Sequence, residues 1–264
     1  MGPAASPGDF PAGLDPDNML LAVDYQVHAP VLDSVEDPRI VTLTADGMLV
    51  LARRDLDSTL GTTATPLGPT KLEVAWRAIA ASGVAVDRVL DLPGFAARTV
   101  TTTTTQFRVN DGRRQTDLLV HNLGSEQAFL GDPPIAHEEL RLRASATALL
   151  DSLHALGGDT PWIPPALLLW WREEVPADRN ATVVPWQLPV DLEAAGRALG
   201  HAVWQRCARL DGSDAAAVAE VAHRLPIDHL VERGTKRFAI NLRPIHGDEV
   251  RTVVCPQGSE PRTR

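Results

Sequence analysis

Lysine and tyrosine are nearly missing from this chain of 264 residues: Lys71 and Lys236 are its only lysines and Tyr25 its only tyrosine. The remaining basic residues are arginines, and the formal net charge is −9 at pH 7. With no concentrated basic surface, a phosphate-backbone partner is not expected, so nucleic acid is set aside. The lysine scarcity, beside abundant Ala, Gly, Pro and Val, reads as a GC-rich bacterial genome. No apolar run approaches the roughly 18–20 residues that a membrane-spanning helix needs. Gly-x-Ser-x-Gly elbows, phosphate-binding loops and dinucleotide fingerprints are all missing, and with them the strong signals for nucleophilic and nucleotide chemistry. The eight histidines never fall at metal-ligand spacing with one another or with a cysteine pair, so neither metal nor cofactor is expected.

Cysteine is scarce as well, with Cys207 and Cys255 the only two. In a cytosolic protein such a pair reads as two unrelated buried thiols, in an exported one as a single bridge. Closing the 48-residue separation would add about 4 kcal/mol in the chain-entropy picture.

What the chain does contain is a β-hairpin written out almost in full at 99–121. A threonine run, Thr101 to Thr105, leads through Phe107 to Asp111-Gly112, and the chain returns from Gln115 to His121. Asp-Gly between β-prone runs predicts a two-residue type I′ turn, which sets Phe107 opposite Thr116, Thr105 opposite Leu118 and Thr103 opposite Val120. Phe107, Leu118 and Val120 then share a covered face, and Gln106, Arg108, Gln115 and Asp117 a wet one. Further strands are expected over Leu20–Val27, Arg39–Thr44, Met48–Ala52, Ala166–Glu173 and Arg237–Leu242. Thr70-Lys71-Leu72-Glu73 reads as a capping box, opening a helix that carries Leu72, Trp76 and Ile79 and stops at Gly83. A second helix is expected from an Asp132 cap and Pro133, with Leu142, Leu149, Leu153 and Leu156 inward and Gly157-Gly158 as its stop. Ser213 is expected to cap a third.

This pattern predicts an α+β protein, with antiparallel sheets, helices packed on one face, and two small modules. The expected division is a leader at 1–19, modules at 20–157 and 158–256, and a polar tail at 257–264. The leader lacks a basic segment followed by an apolar one, so it does not read as a signal peptide. It fits equally the spacer left when such a signal is removed, so the compartment stays open between cytoplasmic and extracytoplasmic.

Two groups of residues are candidates for a site. Arg243, His246, Asp248 and Glu249 form the densest polar cluster, directly after a strand, where loops on a rigid scaffold carry function. A His-Asp-Glu set can polarise a water or hold a cation. The same residues also read as a strand-ending turn, with Gly247 at positive φ and Arg243 paired to a carboxylate. Trp171 and Trp186 are the tryptophans best placed for exposure, where rings stack on sugars or anchor a partner, although core packing explains the set as well. His137-Glu138-Glu139-Leu140-Arg141 lacks the second histidine of the zinc-protease helix and reads as the acidic start of a helix.

Several stretches together resemble a family. They are Asp46-Gly47, the helix ending at Gly83, the return "DGRRQTDLLVHNLG", "VVPWQLP", "RCARLDGSDAAAV" and the closing segment from Phe238 to Glu249. The family is one of uncharacterised actinobacterial proteins, many exported or lipid-anchored, and the resemblance covers about residues 35–255. It implies a bridge between Cys207 and Cys255 and a place in the cell envelope, and it transfers no catalytic residues. The chain departs from the family in showing no export leader and no lipid-bearing cysteine. The function expected is a non-enzymatic binding or interaction protein of the envelope, with a protein or a small-molecule or glycan ligand. The alternatives are a hydrolase or metal-assisted enzyme built on Arg243, His246, Asp248 and Glu249, and a cytosolic accessory or inhibitor protein.

Overall fold

In the computed structural model the residues described are 10–11, 14–28, 39–53, 60–91, 102–125, 135–174, 183–186, 190–191, 196–199, 205–225 and 230–255. The expected leader is described at 10–11 and 14–19, where Phe10 and Leu14 pack against the first core and Met19 opens a strand, so this part of it is structured; the expected tail at 257–264 lies outside the described residues. The chain divides into two compact units, the first comprising 1–52 and 63–160, the second 53–62 and 161–264. The passage at Thr160 falls close to the expected module boundary at 157–158, and the short excursion 53–62 adds Leu60 to the core of the second unit.

The first unit is a seven-stranded sheet with two helices. Its elements are β1 (Met19–His28), β2 (Arg39–Thr44), β3 (Met48–Ala52), β4 (Thr62–Pro66), α1 (Pro69–Ser82), β5 (Arg88–Leu90), β6 (Thr102–Asn110), β7 (Gln115–His121) and α2 (His137–Leu156). The strand order is β4-β3-β2-β1-β6-β7-β5. From β3 through β2, β1 and β6 to β7 the strands pair antiparallel, while the edge strand β5 runs parallel to β7. Leu72, Trp76 and Ile79 from α1 and Ala146, Leu149 and Leu153 from α2 join one buried cluster with Leu21, Val23, Phe107, Leu118 and Val120, so both helices cover the same side.

The second unit adds β8 (Ala166–Glu174), β9 (Val183–Pro185), β10 (Arg197–Ala198), β11 (Arg206–Asp211), α3 (Gly212–Ala222), β12 (Leu230–Arg233) and β13 (Lys236–Ile245). The order is β10-β11-β8-β13-β12-β9, with β9 parallel to β12. Ala215, Val218 and Ala219 of α3 pack with Leu167, Leu169 and Trp171 on one face. The architecture is thus α+β in two modules, with one parallel edge strand in each sheet.

Local chemistry corrects the hairpin turn and the three helix starts of the sequence reading. The hairpin closes through a longer turn: Asn110 pairs with Gln115, Phe107 with Leu118 and Thr105 with Val120. A type I′ turn requires positive φ at both central residues, yet only Gly112 has it here (φ 81°). The Asp111 carboxylate instead accepts the N–H groups of Arg113 and Arg114, and Asn110 Oδ1 accepts that of Gly112. The Arg114 N–H bond is the main reason the Asp111 carboxyl lies below its ordinary value. Because the register moves by two, each residue keeps its expected face.

The helix starts differ too. Gly68 precedes α1 in extended conformation with Pro69 in the first turn, and Glu73 pairs with Arg77 rather than closing a capping box. α2 begins at His137 after Ala136, so Asp132 is not its cap; Asp132 and Pro133 lie outside the described residues. Ser213 falls inside α3, which follows Asp211, whose carboxylate is taken by Arg209.

α2 is fixed to the sheet by a buried cation. Arg143, 1% exposed, donates to Leu90 O at 2.9 Å and to His121 O at 2.8 Å, the last residues of β5 and β7, while Glu139 one turn earlier accepts from Nε and Nη2. Replacing Arg143 by Met would leave two carbonyls and a carboxylate without these donors. We expect Arg143→Met to lose about 3–5 kcal/mol of unfolding free energy in urea titration, and Glu139→Gln clearly less.

Candidate functional site

The strand β13 delivers Arg243 to the side of its sheet opposite α3. Arg243 pairs with Leu168 in register, and Leu168 alternates with the α3-facing residues Leu167 and Leu169. After Ile245 the chain turns through a short 3₁₀ helix, Gly247–Glu249. The Glu249 carboxylate folds back over the turn: Oε1 accepts from Arg243 Nη2 at 2.7 Å, and Oε2 accepts the His246 N–H at 3.1 Å. The His246 ring, 2% exposed, lies against the Trp162 ring with centroids 4.6 Å apart and planes 32° apart. The Trp162 carbonyl lies 2.8 Å from His223 Nε2.

Three of the four expected cluster residues are therefore brought together, but as a turn lock rather than an open constellation. Both oxygens of Glu249 are engaged, the imidazole is buried beneath an indole, and Asp248 is exposed. Arg243 is paired to a carboxylate, as the turn reading supposes; Gly247 is not at positive φ, because the turn is 3₁₀. Among the described residues no group of three or more His, Cys, Asp or Glu could hold a metal ion.

The tryptophans divide differently from the expectation. Trp171 is buried at 2% exposure in the second core, and Trp170 is buried at 1% on the opposite side, because β8 lies inside its sheet and is covered on both faces. Trp171 thus offers no ring to a partner. A Cβ at Gly196 would come within 2.6 Å of Trp171 Cη2, so the packing there leaves room only for glycine. Trp186 is half-buried after β9, its Nε1 donating to Val190 O at 2.8 Å.

Sequence reasoning missed two features. The first lies on the face of the first sheet away from its helices. Asp24 accepts from Arg39 Nε at 3.0 Å and also from Arg108. Gln106 Nε2 donates to Asp117 Oδ1 at 2.9 Å, and Thr104 Oγ1 lies 2.8 Å from His121 Nδ1. The hairpin face read as wet is thus a tied network, with Asp24, Arg39 and Thr104 buried within it. The Gln106, Arg108 and Asp117 alternation signals it, but the pairing of β1 with β6 that brings Asp24 in is not visible in sequence.

The second is the recess around the cysteines; their bridge itself is the one that the resemblance implies. Cys207 and Cys255 form a disulfide with Cα atoms 5.8 Å apart. Gly196, Arg197, Arg209 and Val254 join them around an open recess of about 450 Å³. Arg209 holds Asp211 and also donates Nη1 to Val253 O at 2.7 Å.

Compared with known proteins, the chain matches no family model, no curated protein and no solved structure. No helix among the described residues is long and apolar enough to cross a membrane.

The turn lock makes a stability prediction. Glu249→Ala should strand Arg243 and free the His246 N–H, costing about 2–4 kcal/mol in chemical denaturation, whereas Asp248→Ala should stay within about 0.5 kcal/mol.

Proposed function

We propose that this protein is a non-enzymatic binding or interaction protein of the bacterial cell envelope, presenting the polar face of β6 and β7 to a partner protein or a small-molecule or glycan ligand. The observation that carries this reading is the network on that face. Side chains already held by Asp24 and Asp117 lose little rotamer freedom when a ligand docks, so the surface is organised before binding. Arg108 and Gln106 remain partly exposed and supply donors at its edge. The envelope part of the proposal is supported by the Cys207–Cys255 bridge, which persists in oxidising compartments, and by the resemblance to exported proteins.

Two measurements test it. Protein taken from its native cells and alkylated under denaturing, non-reducing conditions should gain no label by intact mass; two labels would overturn the envelope assignment. A turnover screen over ester, peptide, glycoside and phosphoester substrates should show nothing above buffer, and hydrolysis abolished by His246→Ala would overturn the non-enzymatic one.

A further inference from the structure

The face of the second sheet opposite α3 is crossed by the C-terminal segment. Cys207 pairs with Trp170, and Arg209 with Leu168, so these four residues share that face, and Arg243 beside Leu168 shares it too. The sheet order β11-β8-β13 places β8 between the other two strands. Glu249 is tied to Arg243 on β13; Val253 O and Cys255 are tied to Arg209 and Cys207 on β11. Strands two apart are about 10 Å from each other, so residues 250–255 must pass over β8 at Leu168 and Trp170.

This crossing is weakly held apart from its covalent end. None of residues 250–255 is buried, and Val254 is 62% exposed. The backbone bonds of Thr252 and Val253 go to Glu249 O, within the segment's own turn. Beneath it Trp170 is 1% exposed, and its Nε1 has no hydrogen-bond partner among the described residues, so covering this face leaves that donor unsatisfied by them. Both cysteines border the open recess, but the bridge is asymmetric in exposure: Cys207 is fully buried, while Cys255 is half-buried.

We propose that residues 250–255 are a redox-released strap, held on the Leu168–Trp170 face by the Cys207–Cys255 bridge and let go when a dithiol reduces it. The reductant's thiolate attacks the accessible Cys255 sulfur, the S–S bond breaks, and Cys207 leaves as a thiolate that takes up a proton. The second thiol of the reductant then resolves the mixed disulfide. Two electrons pass to the protein, which ends with two thiols, and the reductant ends as a disulfide. With Arg209–Val253 as the remaining tie beyond Glu249 among the described residues, the strap lifts while the sheet stays paired. This device is independent of which partner the other unit binds.

The test uses Cys255→Ser, which removes the bridge without reductant and leaves Cys207 as a reporter under the strap. In native buffer Cys207 should react with N-ethylmaleimide, and amide exchange in 250–255 should rise at least about tenfold over the oxidised wild type, with β8 and β13 amides still protected. Wild type treated with dithiothreitol and pulsed natively should take two labels. A protected Cys207, or one label alone on the reduced wild type, would mean the strap stays down and overturns the proposal. Loss of protection across β8 and β13 would also overturn it, since the bridge would then be a staple for the whole sheet.

Discussion

The demand that β8 be dry on both faces governs the second unit. Ala166 to Trp171 is an unbroken apolar run, and every residue in it is buried. An antiparallel strand with one wet face would alternate; this one cannot, so its sheet needs a cover on each side. α3 supplies one cover with small side chains, Ala215 and Ala219, that let the helix approach Leu167 and Leu169 closely. Across the other side runs a peptide too short and too exposed to form a core of its own, so covalent and ionic ties take the place of area. The Arg243–Glu249 pair, the Arg209–Val253 bond and the bridge follow from that shortage.

The first unit meets a similar demand by other means. Helices α1 and α2 take the apolar side of its sheet, and Arg143 ties α2 to the ends of β5 and β7 through carbonyls that the strand ladder leaves over. On the far side Asp24 sits between two guanidinium groups, buried among polar neighbours instead of hydrocarbon. A carboxylate so placed is tolerated because each of its oxygens receives a charged donor. Such a network fixes side-chain positions more than it adds stability.

The alternation in Thr103 to Val109 and the apolar spacing of Leu72, Trp76 and Ile79 place their elements and faces directly in the sequence, since periodicity is a property of the chain alone. Turn length is not, because Asp111 chose among backbone N–H groups that only the folded turn brings within reach. Caps failed too: Glu73 was claimed by Arg77, and Ser213 fell inside α3 because the helix begins directly after Asp211. The short edge strands β5, β9 and β10, of two or three residues, carry too little pattern to be seen. In the candidate site, composition located the Arg243 to Glu249 cluster, but whether its carboxylate faces solvent or closes a turn depends on one fold-back of Glu249. Trp171 was misplaced because adjacent tryptophans read as one in and one out, which a strand covered on both sides does not obey.

The excursion at 53–62 bears on how this protein could have been assembled or taken apart. Leu60 packs in the second core, yet it is encoded between two stretches that belong wholly to the first unit. A gene cut at the 160–161 junction would therefore deprive the downstream half of a core residue and leave residues 53–62 with the upstream half. In chain order the second unit is thus discontinuous, and no single cut separates the residues of one unit from those of the other.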